Sequence, residues 1–149
     1  MIALLQGVSR AAVTVDSEII ARIDSGLLVL LGVEKSDTEA QARRMVERIL
    51  GYRMFADDAG KMNLSVRDIR GGVLLVPQFT LAADTRRGMR PSFSNAAPPE
   101  TGRQLFDSVV DIMHSNYDYV ATGRFGADMA VELVNNGPVT FWLTSPNVA

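Results

Sequence analysis

The pattern of apolar and polar positions divides this chain into short extended runs and two helical stretches. Residues 2–8 are apolar and β-branched enough for a strand, and residues 11–15 and 18–23 read as a hairpin about Asp16-Ser17. Gly26 to Val33 is a continuous apolar run of the length that suits a strand buried on both faces. Ser36, with Glu39 three positions on, predicts a capping box. Ala42, Met45, Val46, Ile49 and Leu50 then recur at helical spacing as far as Gly51. Gly71-Gly72 precede a second buried strand, Val73-Leu74-Leu75-Val76. Pro98-Pro99-Glu100 are suited to open a second helix, whose apolar face carries Leu105, Phe106, Val109, Val110, Ile112 and Met113. From about Tyr119 to Thr144 the chain alternates like strands, with a turn expected at Asn135-Asn136-Gly137-Pro138. This order predicts an α+β fold, one domain over residues 1–149, with a mixed or mostly antiparallel sheet and two main helices. No G-x-G-x-x-G follows a strand and no Walker A sequence is present, which argues against a Rossmann fold.

Composition narrows the chemistry. The 149 residues include no cysteine and a single histidine, His114. Disulfides, thiolate catalysis, zinc fingers, iron–sulfur clusters and multi-histidine metal sites are thereby excluded, and no cofactor or metal is expected. A formal net charge of −2 excludes a uniformly basic nucleic-acid coat but leaves room for a local patch. No run approaches the roughly 18 apolar residues of a membrane span, and the N-terminus lacks the layout of a signal peptide, so a cytoplasmic protein is expected.

The ordinary catalytic groups are poor candidates. His114 reads as a helix-flank residue near a C-terminal end, where positive charge is favoured. Asp57-Asp58, beside Ala59-Gly60, reads as a turn. Three other segments are more unusual. Pro77 removes a backbone donor where a buried strand should continue, so Gln78 and Thr80 are expected to face one way at the strand mouth and Phe79 the other. Gly137-Pro138 combines a residue without a side chain and a bond that adopts the cis form at low cost. Residues 82–99 form a long loop in which Arg86, Arg87 and Arg90 suit phosphate contacts, with Lys61 and Arg124 as possible extensions.

With these segments in place, the sequence resembles the D-aminoacyl-tRNA deacylases over nearly its whole length. The match is carried by Ile2-Ala3-Leu4-Leu5-Gln6, by Gly26–Val33, by Gln78-Phe79-Thr80-Leu81-Ala82-Ala83-Asp84-Thr85 running into Gly88-Met89-Arg90-Pro91-Ser92-Phe93, and by Asn136-Gly137-Pro138-Val139-Thr140. The resemblance implies a homodimer of small α+β, barrel-like subunits that hydrolyse the ester between a D-amino acid, or mischarged glycine, and tRNA. It implies that Gly137 and Pro138 of one subunit enter the partner's site as a chiral filter. Gln78, Phe79 and Thr80 would line the reacting ester, with Phe125 and Met129 completing the pocket. Three positions depart from the family pattern: Pro77 where serine is usual, Asn136 where aspartate is usual, and Gly7 where an arginine supports the Gly-Pro carbonyls. A related branch carries proline before the glutamine and has relaxed chirality, but Phe79 and Val139 resemble the strict branch, so D-selectivity is expected. Arg10 is a candidate substitute for the missing guanidinium. The competing readings are a non-catalytic tRNA-binding module and a small-molecule esterase.

Overall fold

The computed structural model describes residues 1–145. Strand β1 (Ile2–Val15) leads through a tight turn to β2 (Glu18–Ile23) and β3 (Gly26–Gly32). Helix α1 (Glu39–Gly51) and a small hairpin, β4 (Phe55–Ala56) with β5 (Met62–Leu64), come before β6 (Gly72–Pro77). A 3-10 turn (Phe79–Ala82), helix α2 (Pro99–Asn116), β7 (Val120–Thr122) and β8 (Ala130–Thr144) complete the order. The predicted α+β class with a mixed sheet and two main helices is what the structure has.

The sheet runs β2-β1-β3-β6-β7, with β8 also paired to β1. β3–β6 and β6–β7 are parallel, as their helical crossovers require, and the remaining pairs are antiparallel. The sheet curls toward closure like a barrel, because β2 returns beside β7: the Asp24 amide donates to the Tyr119 hydroxyl at 3.0 Å. Inside the curl lie Val8, Ala11, Val13, Val15, Ile23, Leu28, Leu74 and Val76. Between the sheet and the helices lie Leu27, Val29, Leu31, Val73 and Leu75 against Met45, Ile49, Phe106, Val109 and Met113. β3 and β6 thus alternate between two cores, which is why both read as unbroken apolar runs.

Several local expectations need correction. The two opening segments are one 14-residue strand, because β8 pairs along nearly all of it. Asp16 and Ser17, both at positive φ (49° and 65°), make the two-residue turn that closes the β1–β2 hairpin. Helix α1 starts two residues later than Ser36 implied: Thr38 is the capping position, and its amide donates to Gln41 Oε1 at 2.8 Å. The anticipated turn at residues 135–138 is instead a bulge within a single 15-residue strand, β8. Gln6 pairs with Thr140 and Val8 with Asn135, so residues 136–139 all stand opposite Gly7. The long loop is pinned rather than open. Asp84 and Ser92 exchange backbone hydrogen bonds at 2.7 and 3.0 Å, and the Lys35 and Ala97 amides donate to Asn95 and Val33 carbonyls at 3.0 Å.

Candidate active site

A cavity of about 440 Å³ opens where β6 ends. Pro77, Gln78 and Phe79 form one wall, with Leu31, Val33 and Val76 beneath. Pro99, Gly102 and Phe106 of α2, Phe125 and Gly126 from the segment after β7, and Met129 form the other. The structure therefore brings together Gln78, Phe79, Phe125 and Met129, which are far apart in sequence. The lining is mostly apolar, as in pockets that take an organic group and orient it with few polar contacts.

The expected alternation of Gln78, Phe79 and Thr80 is absent. Past Pro77 the ladder stops after the Gln78 amide donates to the Leu31 carbonyl at 2.8 Å, and the chain winds into the 3-10 turn. Gln78 Nε2 then donates to Thr80 Oγ1, so the two polar side chains pair with each other at the turn. Gly32 permits this packing: a Cβ there would lie 3.0 Å from Leu81 Cβ and 3.1 Å from the Gln78 carbonyl oxygen. The turn also leaves two donors free. The Phe79 and Thr80 amides precede the first bonded position of the turn, and no acceptor pairs with either among the described residues. Phe79 itself is 60% exposed, its ring packed on Phe93 with centroids 5.3 Å apart.

Gly137 and Pro138 do not line this cavity. They are exposed on the β8 bulge, joined by a cis peptide bond. The Asn135 side chain holds the bulge, accepting from the Val139 amide at 3.1 Å and donating to Thr140 Oγ1 at 2.8 Å. Gly137 has φ +135°, and a Cβ there would lie 2.6 Å from Val139 Cγ2, so the position accepts no side chain without rearrangement. Across from the bulge, a Cβ on Gly7 would make ordinary contact with Phe55, Val139 and Met54. Arg10 does not fill the place of an arginine there: its guanidinium is bonded to Glu132 Oε1 at 2.7 Å.

Arg86, Arg87 and Arg90 surround a second hollow of about 520 Å³, together with Asp84 and Ser92. Arg86 is committed to Asp84 through contacts of 2.9 and 2.6 Å, which hold the Asp84 carboxyl down to about 2. Arg87 and Arg90 form no ion pair among the described residues. His114 is an exposed residue in the last turn of α2. Asp57 closes a turn, its Oδ1 accepting from the Lys61 and Ala59 amides at 2.9 Å, and the Lys61 amide first, then the Asn63 side chain, keep its carboxyl below the usual carboxylate range. No cluster of metal-ligating side chains occurs among the described residues, and no helix there is long and apolar enough to cross a membrane. The α2 wall of the cavity was missed in the sequence. Its one signal is Gly102, a residue without a side chain on an otherwise apolar helix face, with Phe125 seated against it.

This arrangement has counterparts. The family described as D-Tyr-tRNA(Tyr) deacylase matches residues 4–144. A D-aminoacyl-tRNA deacylase of Thioalkalivibrio sulfidiphilus is 64% identical over 146 residues, 98% of each chain. One from Stenotrophomonas maltophilia is 62% identical over 144 residues, covering 96% of this chain and 99% of that one. Among solved structures, the c-Myc DNA Unwinding Element Binding Protein superposes with a TM-score of 0.94 at 40% identity, over 98% of this chain and 99% of that one. The apolar cavity at the end of a parallel strand thus lies in a small α+β protein whose relatives are named tRNA deacylases. The chain is a member of the D-Tyr-tRNA(Tyr) deacylase family.

Proposed function

We propose that this chain, acting as one domain over residues 1–149, hydrolyses the ester of D-aminoacyl-tRNAs and of glycine mischarged on tRNA, and spares L-aminoacyl esters. The observation that carries the catalytic part is the pair of free amides at Phe79 and Thr80, beside the cavity, in a site without histidine, cysteine or metal ligands. Such donors stabilise charge where it develops on the ester carbonyl oxygen, at no cost of reorganisation. Water adds to the carbonyl carbon, the bond to the ribose oxygen breaks, and the departing oxygen takes the proton. The neighbouring ribose hydroxyl of the RNA assists, so part of the catalysis belongs to the substrate. Gln78 and Thr80, bonded to each other, position the ester. Thr80 is not the nucleophile: among the described residues its hydroxyl is bonded to the Gln78 amide, which is no base to activate it.

Selectivity falls to Gly137 and Pro138. They lie outside their own cavity on β8, which pairs with β1 alone among the described residues, and a second copy of the chain brings them to the site. Backbone carbonyls there engage the substrate's amino group, an L side chain meets the backbone, and glycine passes. Because such a filter reads the backbone and not the side chain, several D-aminoacyl-tRNAs are hydrolysed at similar rates. The loop of Arg86, Arg87 and Arg90 contacts tRNA phosphates, with Arg87 and Arg90 the uncommitted guanidinium groups. A substrate of this kind places the protein in the cytoplasm.

The test compares two substitutions at one residue. Phe79→Ala keeps the amide and loses the ring; Phe79→Pro loses both, and proline is tolerated in a first helical turn. Turnover of D-tyrosyl-tRNA by Phe79→Pro is expected about 10²–10³-fold below that of Phe79→Ala, the size of one lost oxyanion donor. Equal rates for the two would reject the amide as the catalytic group.

A further inference from the structure

Arg103 belongs neither to the cavity lining nor to the arginine loop, and its surroundings give it a role of its own. It is exposed on α2, directly after the cavity-lining Gly102. Its guanidinium lies over the Phe125 ring at 4.9 Å from the centroid. A Cβ on Gly126, also a lining residue, would be 3.5 Å from an Arg103 terminal nitrogen. Gly102, Phe125 and Gly126 thus line the cavity while Arg103 does not. The exposed charge therefore packs on Phe125 from outside the lining.

Arg10, Arg43, Arg44 and Arg86 each meet a carboxylate. Arg103 meets none among the described residues and donates no hydrogen bond there. A guanidinium held over an aromatic ring and bonded to no carboxylate keeps N–H donors available for an anion contact. The stacking also holds the long side chain, so less freedom is lost when the anion arrives.

We propose that Arg103 is a second phosphate anchor, a positioning residue that grips the RNA backbone just outside the cavity, separately from the Arg86–Arg90 loop. The inference rests on the reading that the cavity takes the aminoacylated end of a tRNA. A chain ending inside an apolar cavity must pass its last phosphates over the rim, and Arg103 is an unpaired charge held against the Phe125 ring of the cavity wall. Charge and stacking then act together: the phosphate is held, and Phe125 is braced while it is held.

The experiment uses the full chain and compares wild type with Arg103→Gln and Arg103→Lys, substitutions with similar helix propensity. Binding of uncharged, fluorescently labelled tRNA is followed over a salt series, alongside hydrolysis of D-tyrosyl-tRNA and of a phosphate-free D-tyrosyl ester of adenosine. Arg103→Gln is expected to weaken tRNA binding about tenfold at low salt. Its log–log salt slope should be shallower by about 0.7, the value of one single-strand phosphate contact. Arg103→Lys should keep the wild-type slope, and Arg103→Gln should lose about tenfold more activity on the tRNA ester than on the adenosine ester. A wild-type slope in Arg103→Gln overturns the anchor. So does equal loss on the tRNA and adenosine esters, since that is the mark of an arginine that merely supports Phe125. A wild-type protein that neither binds tRNA nor hydrolyses either ester removes the functional reading, and this inference with it.

Discussion

The end of β6 and the bulge in β8 are built by opposite means. β6 is buried on both faces, from Val73 to Val76, and its last ladder bond fixes Gln78 at the cavity. The 3-10 turn beyond it is positioned by the core. The bulge stands on a strand that pairs with β1 alone among the described residues, exposes Asn136, Gly137 and Pro138, and is tied by the Asn135 side chain. A group that must hold an oxyanion donor in place gains from the first kind of support. A group proposed to reach a second subunit needs the second kind, because it must project. Catalysis and selectivity are therefore expected to respond differently to substitution.

The largest effect is expected from a pair chosen to break this contrast. Gly137→Ala meets Val139 Cγ2 and sits at a φ that L side chains rarely adopt. Deacylation of D-tyrosyl-tRNA should fall by two orders of magnitude or more, while the melting temperature stays within a few degrees of wild type, because the strain is confined to an exposed bulge. Leu75→Ala, at a fully buried position, should do the reverse. It should cost about 2–5 kcal/mol, read as a melting temperature lower by roughly 10 °C, with turnover largely kept at low temperature. Similar melting losses in both variants would erase the distinction.

A smaller effect is expected at Thr80. Thr80→Ala removes the Gln78–Thr80 hydrogen bond but no nucleophile, so turnover should drop about tenfold, in keeping with one lost positioning bond, and no acyl-enzyme should be trapped by rapid quench. Smaller still is the arginine loop. Replacing both Arg87 and Arg90 by glutamine should reduce the salt slope of tRNA binding by about 1.4, two single-strand contacts, with little change in stability.

The least effect concerns Asp84. Its carboxyl is depressed to about 2, first by the Arg86 side chain and then by the Arg86 amide. A depressed acid contributes its stabilisation above the ordinary value of 3.8 and loses it as pH falls toward 2. The loop should therefore be unchanged by this group from pH 8 to about 4 and loosen only below. The Asp84 carboxyl carbon shift, followed by NMR, measures this; a midpoint near 3.8 would mean the pair with Arg86 does not persist.

The same contrast governs which features were legible in the sequence. The doubly buried β3 and β6 and the apolar faces of both helices could be read there, because burial writes a period into the residues themselves. The Gln78–Thr80 and Gly137-Pro138 segments stood out because proline and glycine break those periods. The features that escaped depend on distant partners. β1 looks like two strands until β8 is laid along it. The 135–138 segment looks like a turn because nothing local says that Gly7 stands opposite. Gln78 and Thr80 lost their alternation to a 3-10 turn that depends on Gly32, far earlier in the chain. The α2 wall, with Gly102 and Arg103, is visible only once Phe125 is folded onto it.

The proposed enzyme is an ester hydrolase whose amides do the chemistry and whose Gly137-Pro138 bulge refuses L substrates. Its most direct test is a deacylation time course on matched D-tyrosyl-, L-tyrosyl- and glycyl-tRNA with the purified protein. Hydrolysis of the D and glycyl esters with the L ester spared is the predicted result. Equal hydrolysis of the L ester would contradict the filter, and hydrolysis of none would contradict the enzyme.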